Sequence, residues 1–384
     1  LARVQGVDRD VDPIQPGRAQ PDRAPVQTQP VRRQPDIGFG ARPPGAQRGR
    51  RGHDLLQVPA HERLAAGQAD PLHAQALDGD PGHDDAIAIL LALGSPQIDL
   101  LGITTIGGNH SLEKVTFNAR AVCELAGRPE VPVHAGCMKP LVREAIDAAY
   151  IHGETGLDGV ELPEPSRPQA EQHAVAWLIE TVMSHEPGTV TVVATGPLTN
   201  IAVAARMEPR IVGRLKEIVL MGGAYGVGNA TPVAEFNILC DPEAAHIVFN
   251  ERWPLTMIGL DVTHRALCTP DVQRSLGLAN PGLADAVDGL MDFFRSTYQD
   301  QEAFPDPPTH DPCAVAYVID PTLVPTRRCP VDVELRGTLT YGMTVADMRA
   351  IAEDAEDSCT SRVGIGLETD RFWDLVADAL ARLD

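Results

Sequence analysis

Between Ala76 and Leu93 the chain reads ALDGDPGHDDAIAILLAL, so four carboxylates, Asp78, Asp80, Asp84 and Asp85, fall within eight residues directly ahead of an apolar run. Like charges this close repel and raise one another's pKa unless a cation or a set of backbone donors absorbs the field. Any fold of this chain must therefore gather these side chains around a counter-charge, and a hard divalent cation suits an all-oxygen set. Pro81 and Gly82 fit a tight turn, and the strong helix formers Ala86 to Leu93 predict a helix whose first turn holds Asp84 and Asp85. Free N–H groups and the helix dipole favour anions there. One Asp at such a place reads as a cap; four at the spacing D-x-D-x-x-x-D-D read as a ligand cluster.

Downstream, short apolar segments alternate with helical ones. Ile98 to Ile106 predicts a buried strand running into Gly107-Gly108-Asn109-His110, and Leu112 to Leu125 a helix. Val131 to Val133 reads as a short strand, Ile151 to Gly156 as a loop and Gln172 to Ser184 as a helix. Thr189 to Ala194 predicts a strand entering Thr195-Gly196-Pro197, followed by a helix to about Arg206. Strands at Ile218 to Met221 and Leu255 to Leu260 and helices at Pro242 to Phe249 and Cys313 to Ile319 complete the pattern. Such alternation implies an α/β fold with a mainly parallel central sheet flanked by helices, and a ligand site at the carboxyl ends of the strands.

Residues 1–75 stand apart. They hold 11 Arg, no Lys, 8 acidic residues and 10 Pro, a net charge of +3, whereas residues 76–384 carry 21 basic against 45 acidic residues, a net charge of −24. Without an apolar run of period 2 or 3.6 this segment cannot offset its ordering entropy. It is expected to be a disordered extension, or text from outside the natural reading frame, ahead of a domain spanning 76–384. The formal charge of −21 speaks against nucleic acid and anionic membranes as partners. The seven scattered cysteines contain no C-x-x-C pair and suggest neither a disulfide framework nor a zinc site. With no apolar run of membrane-spanning length and no signal-peptide pattern, a cytoplasmic location is expected.

Each polar cluster has a plain alternative: Gly107-Gly108-Asn109 and Thr195-Gly196-Pro197 as ordinary turns, Glu235 and Asn237 as loop residues, Asp311-Pro312 as a helix cap. Their joint placement at strand ends and helix starts favours a site. In this order and at these spacings, DGDPGHDDAIAILLA, TTIGGN, HGETGLDG, VATGPLTNIA, MGGAYGVGNATPVAEFNILCDPEAAHIVF and HDPCAVAYVID resemble the inosine-uridine preferring nucleoside hydrolases, from about Leu77 to the chain end.

The resemblance implies a Rossmann-like nucleoside hydrolase fold, Ca2+-dependent hydrolysis of the N-glycosidic bond of purine or pyrimidine ribonucleosides in salvage or catabolism, and a homodimer or homotetramer. Carried over by position, it implies Asp80, Asp85, the main-chain carbonyl of Thr195 and Asp311 as calcium ligands, with Asp80 also the general base. It implies Asp84, Asn109, Asn229, Glu235 and Asn237 around the ribose, with Met221 and Phe236 as further substrate contacts. His310 takes the position of the leaving-group acid, supported by Tyr298, and His152 lies near the base. The chemistry agrees: an oxocarbenium-like transition state needs a delivered water, charge stabilisation and a proton for the departing base.

One departure from the family pattern is the lead-in Asp70-Pro-Leu-His-Ala-Gln-Ala-Leu77, which reads poorly as a buried strand and predicts weak support beneath Asp78 and Asp80. Two other classes compete. An aspartyl-nucleophile phosphatase would use Asp78 to attack and wants a lysine near the phosphate, yet Lys114, Lys139 and Lys216 all lie away from the glycine loops. A non-catalytic nucleoside-binding protein predicts loss of Asp80 or His310, and both are present.

Overall fold

The computed structural model describes residues 73–301, 304–349, 359 and 361–383. The expectation for the N-terminal extension therefore lies, as far as residue 72, outside the described residues. Eight strands form the central sheet: β1 (His73–Gly79), β2 (Ile98–Thr105), β3 (Val133–Ala135), β4 (Val190–Ala194), β5 (Glu217–Met221), β6 (Leu255–Ile258), β7 (Thr326–Arg328) and β10 (Ser361–Gly364). Their order is β3-β2-β1-β4-β5-β6-β10-β7, parallel throughout except for the antiparallel β10–β7 pair. A separate hairpin joins β8 (Val331–Val333) to β9 (Thr344–Ala346).

The strands are apolar on both sides because helices cover both sheet faces. Leu77, Val193, Val219 and Ile258 pack into one core layer; Ala76, Val192, Ala194, Ile218, Leu220 and Met257 pack into the other, as a period of two requires. The helix His83–Gly94 lies on the Leu77 side, buried at all twelve positions and packed against helices Pro312–Ile319 and Thr369–Leu380. Full burial explains why its sequence is apolar all round rather than amphipathic.

Strand order reverses between β1 and β4: the chain moves outward from β1 through β2 to β3, then returns to β4 on the other side. Loops leaving β1 and β4 consequently diverge, opening the crevice where ligands bind in such sheets. Asp80 follows β1 directly and Thr195 follows β4 directly, so both stand at the mouth of that crevice.

The weak lead-in is corrected. His73 to Gly79 is a central strand, paired in parallel with β2 and β4, and it begins before the boundary expected at residue 76. Neighbouring ladders override the low strand propensity of His-Ala-Gln-Ala. The cost is visible at Gln75, fully buried, whose side-chain Oε1 and Nε2 have no hydrogen-bond partner among the described residues. Part of the expected 151–156 loop is also helical: Ala149–His152 makes one short turn before Gly153.

Candidate active site

The end of β1 sets out the acidic centre. Asp78 Oδ1 accepts hydrogen bonds from Thr104 Oγ1 at 2.6 Å and Asn200 Nδ2 at 2.8 Å, so this carboxylate ties β1 to β2 and to the helix Thr199–Met207. Burial raises its pKa to about 6. Asp80 is fully buried; its Oδ2 accepts the Asn109 N–H at 2.5 Å, while Oδ1 has no partner among the described residues. Burial, followed by the charge of Asp85, holds the Asp80 pKa well above the usual carboxylate range. Glycine is required on both sides of it. A Cβ at Gly108 would collide with Asp80 Oδ2, and one at Gly196 would lie 2.6 Å from Oδ1, which accounts for a glycine in each of TTIGGN and VATGPL.

Asp84 and Asp85 occupy the first turn of the helix His83–Gly94, as expected from sequence. Asp85 Oδ2 accepts the Gly82 N–H at 3.0 Å and its Oδ1 accepts Thr195 Oγ1 at 2.8 Å, linking β1's loop to β4's. Asp84 Oδ2 accepts the His310 N–H at 3.1 Å. Asp311 stands at the N-cap of Pro312–Ile319, with Pro at the first position, yet its side chain makes no capping bond. Instead Asp84, Asp85 and Asp311 offer oxygens that all lie within 4.8 Å of one another, every one buried. Burial and mutual charge raise Asp84 to about 7; Asp85 rises to about 6, chiefly by burial; Asp311 lies well above the ordinary range. Buried carboxylates in this density hold protons unless a cation replaces them, and the donors are all oxygen. With Asp80 Oδ1 also buried and without a hydrogen-bond partner among the described residues, the set fits a hard divalent cation. Asp80 is not within the three-carboxylate group itself, though it feels the charges of Asp85 and Asp84. The Thr195 carbonyl accepts from Asn237 Nδ2 at 3.0 Å.

Above this centre lies a half-open cavity with about 60 Å³ of space for water centres. Asp84, Asn109, His152, Thr195, Met221, Asn229, Glu235, Phe236, Asn237, Tyr298, His310 and Asp311 all line it, drawn from segments up to 227 residues apart in sequence; Asp80 and Asp85 are not on its wall. Glu235 is a structural anchor as well as a wall. Its carboxylate accepts the N–H groups of Gly223, Asn237 and Ile238, capping the helix Phe236–Cys240 and fastening it to the end of β5. Asn229 Oδ1 accepts from Ala230 N–H at 2.8 Å and Phe236 N–H at 3.0 Å, which holds its loop over the cavity.

His310 is buried with both ring nitrogens engaged: Nδ1 lies 2.7 Å from Thr263 Oγ1 and Nε2 lies 2.9 Å from Tyr298 OH. Burial, then the neighbouring His264, lowers its pKa to about 3. His152 is likewise pushed well below its usual value, first by burial and then by His83. Sequence reasoning missed Tyr150, Ile151 and Phe294 on the cavity wall, and Thr263 behind His310. Tyr150 and Ile151 directly precede the HGETG motif, so extending that motif would have found them; Phe294 sits in a helix whose apolar spacing reads as ordinary core. None of the three lysines lines the cavity, and Asp78 is held by two hydrogen bonds beneath it, which removes the nucleophile and the phosphate partner that a phosphatase needs.

Comparison with known proteins gives a consistent result. The family model described as inosine-uridine preferring nucleoside hydrolase matches residues 76–374. An inosine-uridine preferring nucleoside hydrolase of Leishmania major is 55% identical over 308 residues, covering 80% of this chain and 97% of that protein. The pyrimidine-specific ribonucleoside hydrolase RihB of Escherichia coli is 45% identical over 305 residues, covering 79% and 96%. Among solved structures, a purine-preferring ribonucleoside hydrolase from Gardnerella vaginalis superposes with a TM-score of 0.74 at 35% identity, covering 80% of this chain and 98% of that one.

Proposed function

The chain belongs to the inosine-uridine preferring nucleoside hydrolase family, and from that membership we propose that it is a Ca2+-dependent ribonucleoside N-ribohydrolase releasing ribose and a free purine or pyrimidine base. The observation that carries the metal requirement is the buried group Asp84, Asp85 and Asp311, together with Oδ1 of Asp80, which is buried and has no hydrogen-bond partner among the described residues. Asp80, Asp85, Asp311 and the Thr195 carbonyl would hold the ion. A bound Ca2+ there supplies positive charge that keeps the carboxylates ionised and attracts water and ribose hydroxyls.

The protein's own groups do the rest. Asp80, fixed through Oδ2 by the Asn109 amide, has Oδ1 free to take a proton from the attacking water. Asp84, Asn109, Asn229, Glu235 and Asn237 offer ribose a ring of polar partners, and Met221 and Phe236 add apolar contact. The His310–Tyr298 pair faces the same cavity as the proton source for the base. Burial holds His310 neutral in the empty cavity; as negative charge develops on the departing base the ring takes up a proton from solvent, becomes imidazolium, passes that proton to the base and returns to neutral. Seven scattered cysteines support a reducing, cytoplasmic setting, and we extend the family's homodimeric or homotetrameric state to this chain. No helix among the described residues is long and apolar enough to cross a membrane. The test is a panel of inosine, uridine, cytidine and adenosine read by reducing-sugar release, with nucleotides read by phosphate release. Sugar release from at least one nucleoside is expected, and phosphate release alone would overturn the reading.

A further inference from the structure

His83 interrupts the acidic motif and takes no part in the chemistry described above. Its ring is fully buried between stacked partners, with Phe293 and Phe294 at centroid distances of 5.2 Å and His152 at 5.4 Å. Nε2 lies 2.8 Å from the main-chain carbonyl of Asp158, and Nδ1 lies 3.1 Å from Nδ1 of His152. A carbonyl only accepts, so His83 Nε2 carries the proton and, in a neutral ring, Nδ1 is bare. Two bare nitrogens 3.1 Å apart would set lone pair against lone pair. The contact is a hydrogen bond only if His152 Nδ1 carries a proton and donates it to His83. His152 Nε2 is then the bare nitrogen. It has no hydrogen-bond partner among the described residues, and His152 lines the cavity.

We propose that His83, held by the Asp158 carbonyl, is a positioning residue that fixes His152 as a hydrogen-bond acceptor toward the substrate's base. The inference rests on the ribohydrolase reading of the cavity. A fixed acceptor favours bases that present a ring N–H, as hypoxanthine and uracil do, over adenine and cytosine, whose corresponding ring nitrogens present lone pairs. His152 is accordingly not the donor to the leaving base.

The competing partner of His152 makes the inference testable. The His83 main-chain N–H points at His152 Nδ1 from 3.3 Å, a hydrogen bond that this nitrogen can accept only when bare, so the His83 amide and the His83 ring favour opposite tautomers of His152. Removing the His83 ring leaves this amide as the sole partner at Nδ1 and drives His152 into the opposite tautomer, Nε2–H. In His83→Leu the ratios of kcat/KM for inosine over adenosine and uridine over cytidine should fall about tenfold, the worth of one hydrogen bond gained or lost. His83→Asn, whose Oδ1 stands near the lost Nδ1, should restore much of the ratio. Nitrogen-15 spectra of the wild-type holoenzyme should record His152 with a protonated Nδ1 and a bare Nε2. A protonated Nε2 in the wild type, or base ratios unchanged in a folded His83→Leu, would overturn the proposal. The spectrum needs no turnover, so failure of the ribohydrolase reading, with none of the four nucleosides cleaved, is distinguishable from failure of this inference.

Discussion

The main-chain N–H of Asn109 donates to Oδ2 of Asp80 at 2.5 Å, and this one bond divides the labour of the carboxylate. One oxygen is fixed by the loop after β2, and the other, fully buried, has no partner among the described residues. A carboxylate so placed is dear to keep ionised and is therefore suited to take a proton or to meet a cation.

Asp80→Asn keeps an oxygen that the Asn109 amide can reach, so the fold should survive with little change in melting temperature. It removes the proton acceptor and a cation ligand together. Turnover of every nucleoside should fall by at least about 10²–10⁴-fold, the usual worth of a positioned base. A near wild-type kcat in the variant would move the base elsewhere.

Calcium should matter more for stability at neutral pH than at acidic pH. In the ion-free protein Asp78 and Asp85 titrate near about 6 and Asp84 near about 7, above the ordinary carboxylate value of 3.8. Between those values these folded-state carboxylates bind more protons than the unfolded ones, so the stability they contribute falls as pH rises from about 4 to 7. Added Ca2+ should raise the melting temperature more at pH 7 than at pH 5, because the carboxylates must shed protons to hold it, while the opposing titration of the buried His310 and His152 is common to chelated and loaded protein and cancels in that difference. Scanning calorimetry with and without chelator decides it; equal shifts at both pH values would sink the assignment. Activity should vanish on chelation and return with Ca2+.

Much of this site was legible because its residues sit in short motifs tied to strand ends. DGDPGHDD declares its helix start through Pro, Gly and paired Asp, and the glycines of TTIGGN and VATGPL mark places where backbone approaches Asp80. Partners across the sheet were not legible. Thr263 behind His310 lies 47 residues away in sequence, and the His83–His152 contact spans 69, with nothing local to announce either. β1 was misjudged because its stability comes from β2 and β4 on both sides rather than from its own residues.

That same strand gives a stability prediction. Gln75 is fully buried, both its side-chain polar atoms lack a partner among the described residues, and strand alternation sets it on the face of Leu77. An unsatisfied buried amide costs about 1–3 kcal/mol. Gln75→Leu, nearly equal in volume, should raise unfolding free energy by that order without changing kcat. Urea unfolding gives the number, and a loss of stability would mean that the amide is satisfied in solution.

The last prediction separates His310 as an acid from His310 as scaffold. Its main-chain N–H holds Asp84, so His310→Ala leaves that bond in place and removes only the ring with its links to Thr263 and Tyr298. If the ring protonates the departing base, inosine hydrolysis should slow by about 10²–10⁴-fold, because hypoxanthine leaves poorly without a proton. A p-nitrophenyl riboside departs as a stable phenolate and should be cleaved by the variant at close to the wild-type rate. Tyr298→Phe should reproduce the pattern in weaker form, since it strips one partner from Nε2 while keeping the ring. Asp80→Asn should impair both substrates, because activating water is common to them. A scaffold role predicts otherwise: distortion of the helix Pro312–Ile319 would displace Asp311 and slow both substrates alike. Equal slowing of inosine and the phenolic riboside in His310→Ala would therefore remove the ring from the acid role and leave Tyr298 or a bound water to supply the proton.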